Sequence, residues 1–254
     1  MRAKHLFIKS FLVPAVFLGI LSLTGCVTFY NAATGRREAL LIDTPSEVSL
    51  GRDMDKEIHK KMAIVRDAAM QARLDRIGQR VANYSDRQDL NYYFQLVQDK
   101  ELNAFAVPGG YIYINTGLFN TASDNELAGV LAHEIGHIAA RHSVKQIQAQ
   151  MGYQLLMNLV LGIYSKDSMG QAMNTVFNLA NLGYSRADES LADKLAVKYT
   201  RRAGFDPYGI VSFFNKLEDE QKRKGSSRPI PFLSSHPLTS ERIAHVKQEI
   251  INNP

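Results

Sequence analysis

Five residues near the middle of the chain, His133-Glu134-Ile135-Gly136-His137, leave little freedom in how it can fold. Two imidazoles four residues apart meet at one point in space when they stand on an α-helix, where positions i and i+4 share a face. Glu134 lies about 100° round the same helix, close enough to reach a water polarised by a metal but poorly placed as a ligand, so its expected role is general base. The flanks agree with a helix. Ser123-Asp124-Asn125-Glu126 has the spacing of a capping box, and Leu127, Val130, Leu131, Ile135 and Ile138 keep helical period behind it. Gly136 is expected to leave room beside the metal. Burying two histidines and a glutamate without a metal would be costly, which makes a metal the economical reading.

An open catalytic centre of this kind takes a third protein ligand, here an Asp or Glu downstream on another helix. The best candidate is Glu189, in Tyr184-Ser185-Arg186-Ala187-Asp188-Glu189-Ser190-Leu191-Ala192-Asp193. Glu189 and Asp193 share one helical face, and the small Ala192 permits close approach. Asp193 is then placed to accept from a ligating imidazole N–H and fix its tautomer. Taken by itself this stretch reads as an exposed acidic helix. Two imidazoles and one carboxylate favour one Zn2+ per chain over another divalent ion.

The surrounding pattern is α+β and mainly helical. Apolar positions from Val48 to Val81 fall three and four apart, predicting two helices between Ser46 and about residue 84. Tyr92 to Val97 alternates as a strand, Leu102 to Val107 is a second, and Tyr111 to Ile114 follows the turn Pro108-Gly109-Gly110, predicting a small antiparallel sheet. Further helices are expected at about 144–163, 169–182, 186–202 and 207–223, then a polar loop over 224–238 and a last helix over 240–251. Gly204 and Pro207 suit the end of one helix and the start of the next. Residues 146–165 carry no charge. Core packing is the favoured explanation, ahead of a lid or a lipid contact, because five carboxamides there would need partners in a bilayer.

The N-terminus carries three basic residues before an apolar run from Phe11 to Leu23, followed by Leu23-Thr24-Gly25-Cys26. That order reads as a lipoprotein signal peptide over 1–25, with Cys26, the only cysteine, as the lipidated residue of a tether over 26–45 and the folded domain over 46–254. An uncleaved anchor with a chance cysteine is the alternative. Val27, not being aspartate, carries no inner-membrane retention signal, which points to an outer-membrane lipoprotein facing the periplasm. Loss of Arg2, Lys4 and Lys9 with the leader takes the formal charge from +5 to +2, which removes the main support for nucleic-acid binding.

In order and spacing, the chain resembles the HtpX and CAAX-prenyl-protease type of gluzincin metallopeptidase, family M48, in its periplasmic lipoprotein branch. The resemblance is carried by Asn103-Ala104-Phe105-Ala106, Gly109-Gly110-Tyr111-Ile112, the His133 motif extended to Arg141-His142, Glu189 to Asp193, and His236-Pro237 with Arg242-Ile243. It implies a zincin fold with Glu189 as third zinc ligand. It also implies an edge strand over Gly110 to Asn115, including Tyr111 and Ile112, on which a peptide lies extended. His236 would reach the site to stabilise an oxyanion or to block the metal at rest. Arg242 would hold a substrate carbonyl or order its loop, and His142 is expected to be structural. The chain lacks the transmembrane segments of HtpX and ends before the repeat domain found in part of the branch.

The expected activity is zinc-dependent endoproteolysis of unfolded or misassembled envelope proteins, with outer-membrane assembly machinery as a conceivable partner. The rival reading is a non-catalytic chaperone or assembly factor that uses the same cleft. A binder has no use for Glu134.

Overall fold

The computed structural model describes residues 28–150, 183–225 and 230–252, with the single positions 158, 170 and 174. The expected leader, Cys26, most of the uncharged stretch 146–165 and the helix expected over 169–182 lie outside the described residues.

The segment expected to be a plain spacer is ordered. Strands β1 (Thr28–Asn31) and β2 (Arg36–Ala39) form an antiparallel hairpin. Leu40 and Ile42 behind it are buried, and Asp43 caps helix α1 (Thr44–Lys61) by accepting from the Ser46 amide. The folded part therefore begins well before Ser46. Helix α2 (Ala68–Ala82) follows, capped by Asp67.

Strands β3 (Tyr93–Val97), β4 (Ala104–Val107) and β5 (Tyr111–Asn115) form one sheet in the order β3-β5-β4. The β4–β5 pair is antiparallel, but β3 and β5 are parallel, so the sheet is mixed where an antiparallel one was expected. Side-chain alternation reports which face is buried and is silent on direction, which explains the miss. The order also corrects the substrate-strand assignment. Tyr111 pairs with both Tyr93 and Val107, and Ile112 with both Phe94 and Ala106, so this strand is central and its backbone is already engaged on both sides. Gly110 belongs to the tight turn before it, with φ 98°, and a Cβ there would fall 2.1 Å from the Asn91 carbonyl oxygen.

Helices α3 (Thr116–Thr121), α4 (Asp124–Ala139), α5 (His142–Gln150), α6 (Arg186–Arg202), α7 (Tyr208–Lys224), α8 (Pro231–Ser235) and α9 (Ser240–Asn252) complete the described fold. The short α8 lies inside the expected loop. Because β5 alternates, Ile112 and Ile114 enter the main core with α2, α4 and α7, while Tyr111 and Tyr113 enter a second core with α1, Leu40, Ile42, Val144 and Ile147. Helix α4 is consequently buried from Glu126 to Ala139. Among the described residues, no helix is long and apolar enough to cross a membrane.

Candidate metal centre and active site

The site is built on α4, whose start is set by the predicted capping box: the Ser123 side chain accepts from the Glu126 amide and Glu126 accepts from the Ser123 amide. Glu126 also takes 2.7 Å contacts from Lys216 and the Ser212 hydroxyl, fastening α4 to α7. At the far end of α4, helix α6 crosses at Gly136. A Cβ on Gly136 would meet the Ala192 carbonyl oxygen at 3.0 Å. Its hydrogen side chain thus makes room for a neighbouring helix rather than for a metal, and this contact brings Glu189 to the histidines.

His133, His137, Glu189 and His236 are all buried, and one donor atom of each lies within 4.8 Å of the others. His133 Nε2 is 3.0 Å from His137 Nε2, 3.2 Å from His236 Nδ1 and 3.5 Å from Glu189 Oε2. Glu189 Oε1 is 3.4 Å from His137 Nε2 and 2.9 Å from His236 Nδ1. A tetrahedral cation with donors at about 2.0–2.2 Å needs ligand atoms about 3.3–3.5 Å apart. The donor set therefore fits one small divalent ion without rearrangement of its helices. His236 comes from the turn after α8, where Phe232 stacks on it at 4.6 Å.

The carboxylates have distinct roles. Asp193 Oδ1 lies 2.9 Å from His133 Nδ1, and Asp193 is itself gripped by Arg242, whose Nε and Nη2 donate at 2.6 and 2.8 Å. Arg242 Nη1 stands 2.6 Å from Glu189 Oε2 and also donates to the Pro237 carbonyl. With its donors so engaged, Arg242 orders carboxylates and loop, and the reading of it as a substrate-carbonyl donor is corrected. Glu134 is different: its Oε1 is buried, 3.4 Å from His236 Nε2, with no hydrogen-bond partner among the described residues.

Electrostatics separate these groups further. Burial raises the Glu134 carboxyl above its usual range, the direction suited to a proton-accepting and proton-returning group. Burial works the same way on Glu189, but His236, His133 and His137 outweigh it and hold Glu189 well below the carboxylate range. Arg242 and His133 likewise keep Asp193 low against burial. Burial disfavours protonated His133, yet Asp193 and Glu189 lift it to about 9; His137 is pressed well below the usual imidazole range by burial.

Sequence reasoning missed two members of the neighbourhood. The Tyr184 ring packs 4.0 Å from the His137 ring, and Asp188 lies 3.2 Å from the buried His142. Asp188 stands one residue before the candidate ligand and at the third position of a Ser185 capping box, a spacing visible in the sequence. Tyr184 carried no signal. A cavity of about 310 Å³ opens beside Glu189 and Arg242, walled by Tyr184, Arg186, Pro237 and Thr239. His59 is exposed, and His245, at the cavity rim, is 44 % exposed.

Comparison with known proteins agrees with this geometry. The chain is 27% identical over 219 residues to the beta-barrel assembly-enhancing protease of Escherichia coli (strain K12), a match covering 80% of this chain and 44% of the relative. It is 30% identical over 181 residues to metalloprotease LoiP of the same organism, covering 70% of this chain and 69% of the relative. It is 28% identical over 177 residues to mitochondrial metalloendopeptidase OMA1 of Schizosaccharomyces pombe, covering 69% and 51%. The chain thus spans about half the length of several curated relatives it matches. Residues 68–250 match the profile of peptidase family M48, a stretch that holds every residue of the buried donor cluster, and the chain belongs to that family.

Proposed function

We propose that this protein is a zinc-dependent endopeptidase of the bacterial cell envelope that cuts extended segments of unfolded or misassembled proteins. The observation that carries the reading is the juxtaposition of donors at tetrahedral spacing with a buried Glu134 oxygen that has no hydrogen-bond partner among the described residues. His133, His137 and Glu189 would hold the ion. When bound, zinc supplies Lewis acidity at a carbonyl oxygen and acidifies water. Glu134 takes a proton from the attacking water and returns it to the leaving amine, a task matched by its raised proton affinity. His236, within reach of both Glu134 and Glu189, stabilises developing negative charge or occupies the fourth position at rest.

For substrate, β4 replaces the strand expected from sequence. Among the described strands β5 is the one neighbour of β4, while Val65 and Ile64 cover the outer edge of β3. A peptide added along Ala104–Val107 would be recognised by its backbone, favouring unfolded chains over any single sequence. Attachment to the outer membrane through Cys26, facing the periplasm, and a link to outer-membrane protein assembly belong to the same reading; the leader pattern supports the first, and the name of the beta-barrel assembly-enhancing relative supports the second.

The test is metal per chain and casein digestion in the wild type beside Glu189→Ala and Glu134→Gln. Near-stoichiometric zinc and digestion in the wild type, both lost in Glu189→Ala, support the site. Glu134→Gln keeping its zinc while losing cleavage supports catalysis; cleavage surviving that change would remove Glu134 from the role of base, and a wild type that binds zinc and client without cleaving would return the protein to a client-holding role.

A further inference from the structure

The two metal-binding histidines are oriented differently. His133 meets a carboxylate directly, at 2.9 Å from Asp193. His137 does not: its Nδ1 faces another imidazole, with His142 Nδ1 at 2.9 Å, and His142 Nε2 lies 3.2 Å from Asp188 Oδ1. We propose that His142 and Asp188 form a positioning relay that fixes the tautomer and ring orientation of His137 and thereby sets the affinity of the metal centre.

The proton arrangement is determined once His137 serves as a ligand. His137 Nε2 faces Glu189 and His133, so it must offer its lone pair to the ion, and Nδ1 carries the proton. At 2.9 Å His142 Nδ1 then accepts that proton's hydrogen bond, and His142 Nε2–H donates to Asp188. Each nitrogen has one role, and no second assignment satisfies all three groups with neutral rings. His142 is not a spare ligand, because it meets His137 on the nitrogen that faces away from the cluster.

The backbone is shaped to deliver this contact. Arg141, between α4 and α5, has φ 57°, a left-handed conformation unusual for a side chain that is not glycine. Its guanidinium is held against the strain by Glu47 at 3.2 Å, the Thr44 hydroxyl at 2.6 Å, the Ile42 carbonyl and the Phe29 ring at 4.5 Å. The reversal at Arg141 ends α4 and turns His142 back towards His137, five residues earlier. Asp188 is fixed from the other side by Ser185, whose hydroxyl donates at 2.7 Å.

This inference rests on the metallopeptidase reading, and the experiment separates the two. Zinc affinity of the full chain is measured by chelator competition for wild type, His137→Ala, His142→Phe, His142→Asn, Asp188→Ala and Ser185→Ala, with the Tm of each metal-free protein. His142→Phe is expected to weaken zinc binding about 10–100-fold. His142→Asn, whose amide oxygen can replace the accepting nitrogen, should recover most of that loss, and cobalt-loaded His142→Phe should show a changed ligand-field spectrum that cobalt-loaded His142→Asn does not. Asp188→Ala should weaken zinc more than Ser185→Ala, which breaks the same helix cap but leaves the carboxylate that faces His142; this pair decides the matter if His142→Phe does not fold. Zinc affinity within twofold of wild type in both His142→Phe and Asp188→Ala, with His137→Ala empty, overturns the relay alone. A wild type without stoichiometric zinc overturns the metal reading and the relay with it.

Discussion

At the scale of single residues, environment sets the buried carboxylates of the site apart. Glu134 and Glu189 are both buried glutamates, yet only Glu189 is surrounded by imidazoles and a guanidinium that favour its charge. Glu134→Gln should lower turnover by at least ~10²–10⁴-fold with zinc content unchanged, read by casein cleavage and metal analysis on one sample. Arg242→Gln is expected to act through Asp193: breaking one partner of a buried charged pair costs about 3–5 kcal/mol, so Tm should fall as well as zinc affinity. If Arg242 instead held a substrate carbonyl, KM would rise with Tm unchanged. The pairing of His133 with His137 was legible in sequence because helical spacing alone brings them together, whereas Glu189 joins them only through the crossing of α4 and α6. The partners of His137 were not, since His142 reaches back only through the left-handed turn at Arg141.

At the scale of elements, the decisive contact is the crossing of α4 and α6. Gly136→Val is expected to push these helices apart where a Cβ already has 3.0 Å to the Ala192 carbonyl oxygen, at a cost of about 1–3 kcal/mol, with loss of zinc. Ser123→Ala should cost about 1 kcal/mol in urea melts and leave zinc binding intact, because the cap lies at the far end of α4 from His137. Helix positions were readable because caps and period agreed: the expected 186–202 helix is Arg186–Arg202, and its neighbour is displaced by one residue. Sheet order was not. Tyr111 to Ile114 is as apolar as a central strand should be, but nothing local states that β5 inserts between β3 and β4.

For the whole molecule, the N-terminal hairpin is part of the catalytic framework. It pairs Glu38 with Lys145 at 2.6 Å and sets Phe29 under Arg141, while Leu40 and Ile42 fill the second core. A chain beginning at Ser46 should be less stable than one beginning at Thr28 by about 1.5–3 kcal/mol for each buried aliphatic side chain lost, seen as a lower Tm. Stability should also fall in acid. Burial favours protonated Glu126, but Lys216, the Ser123 amide and Ser212 hold its carboxyl below its usual range. A depressed folded value means its contribution is complete above the unfolded value of about 4.3 and is lost as pH falls through the folded one. The Tm of Glu126→Gln should therefore sit below wild type at pH 7 and converge with it towards pH 3.

Sequence alone determined what depends on local geometry: a capped helix carrying His133, Glu134 and His137, and a second helix with Glu189 and Asp193 on one face, which together made a metal centre the expectation. Those inferences hold because three and four residues of α-helix always bring the same side chains together. Tertiary structure decided what local geometry cannot: that Gly136 serves a helix crossing, that β5 is the central strand, that Arg242 grips carboxylates, and that the hairpin before Ser46 belongs to the domain. Each depends on contacts between residues tens of positions apart, and only packing, which weighs the whole chain at once, selects among them.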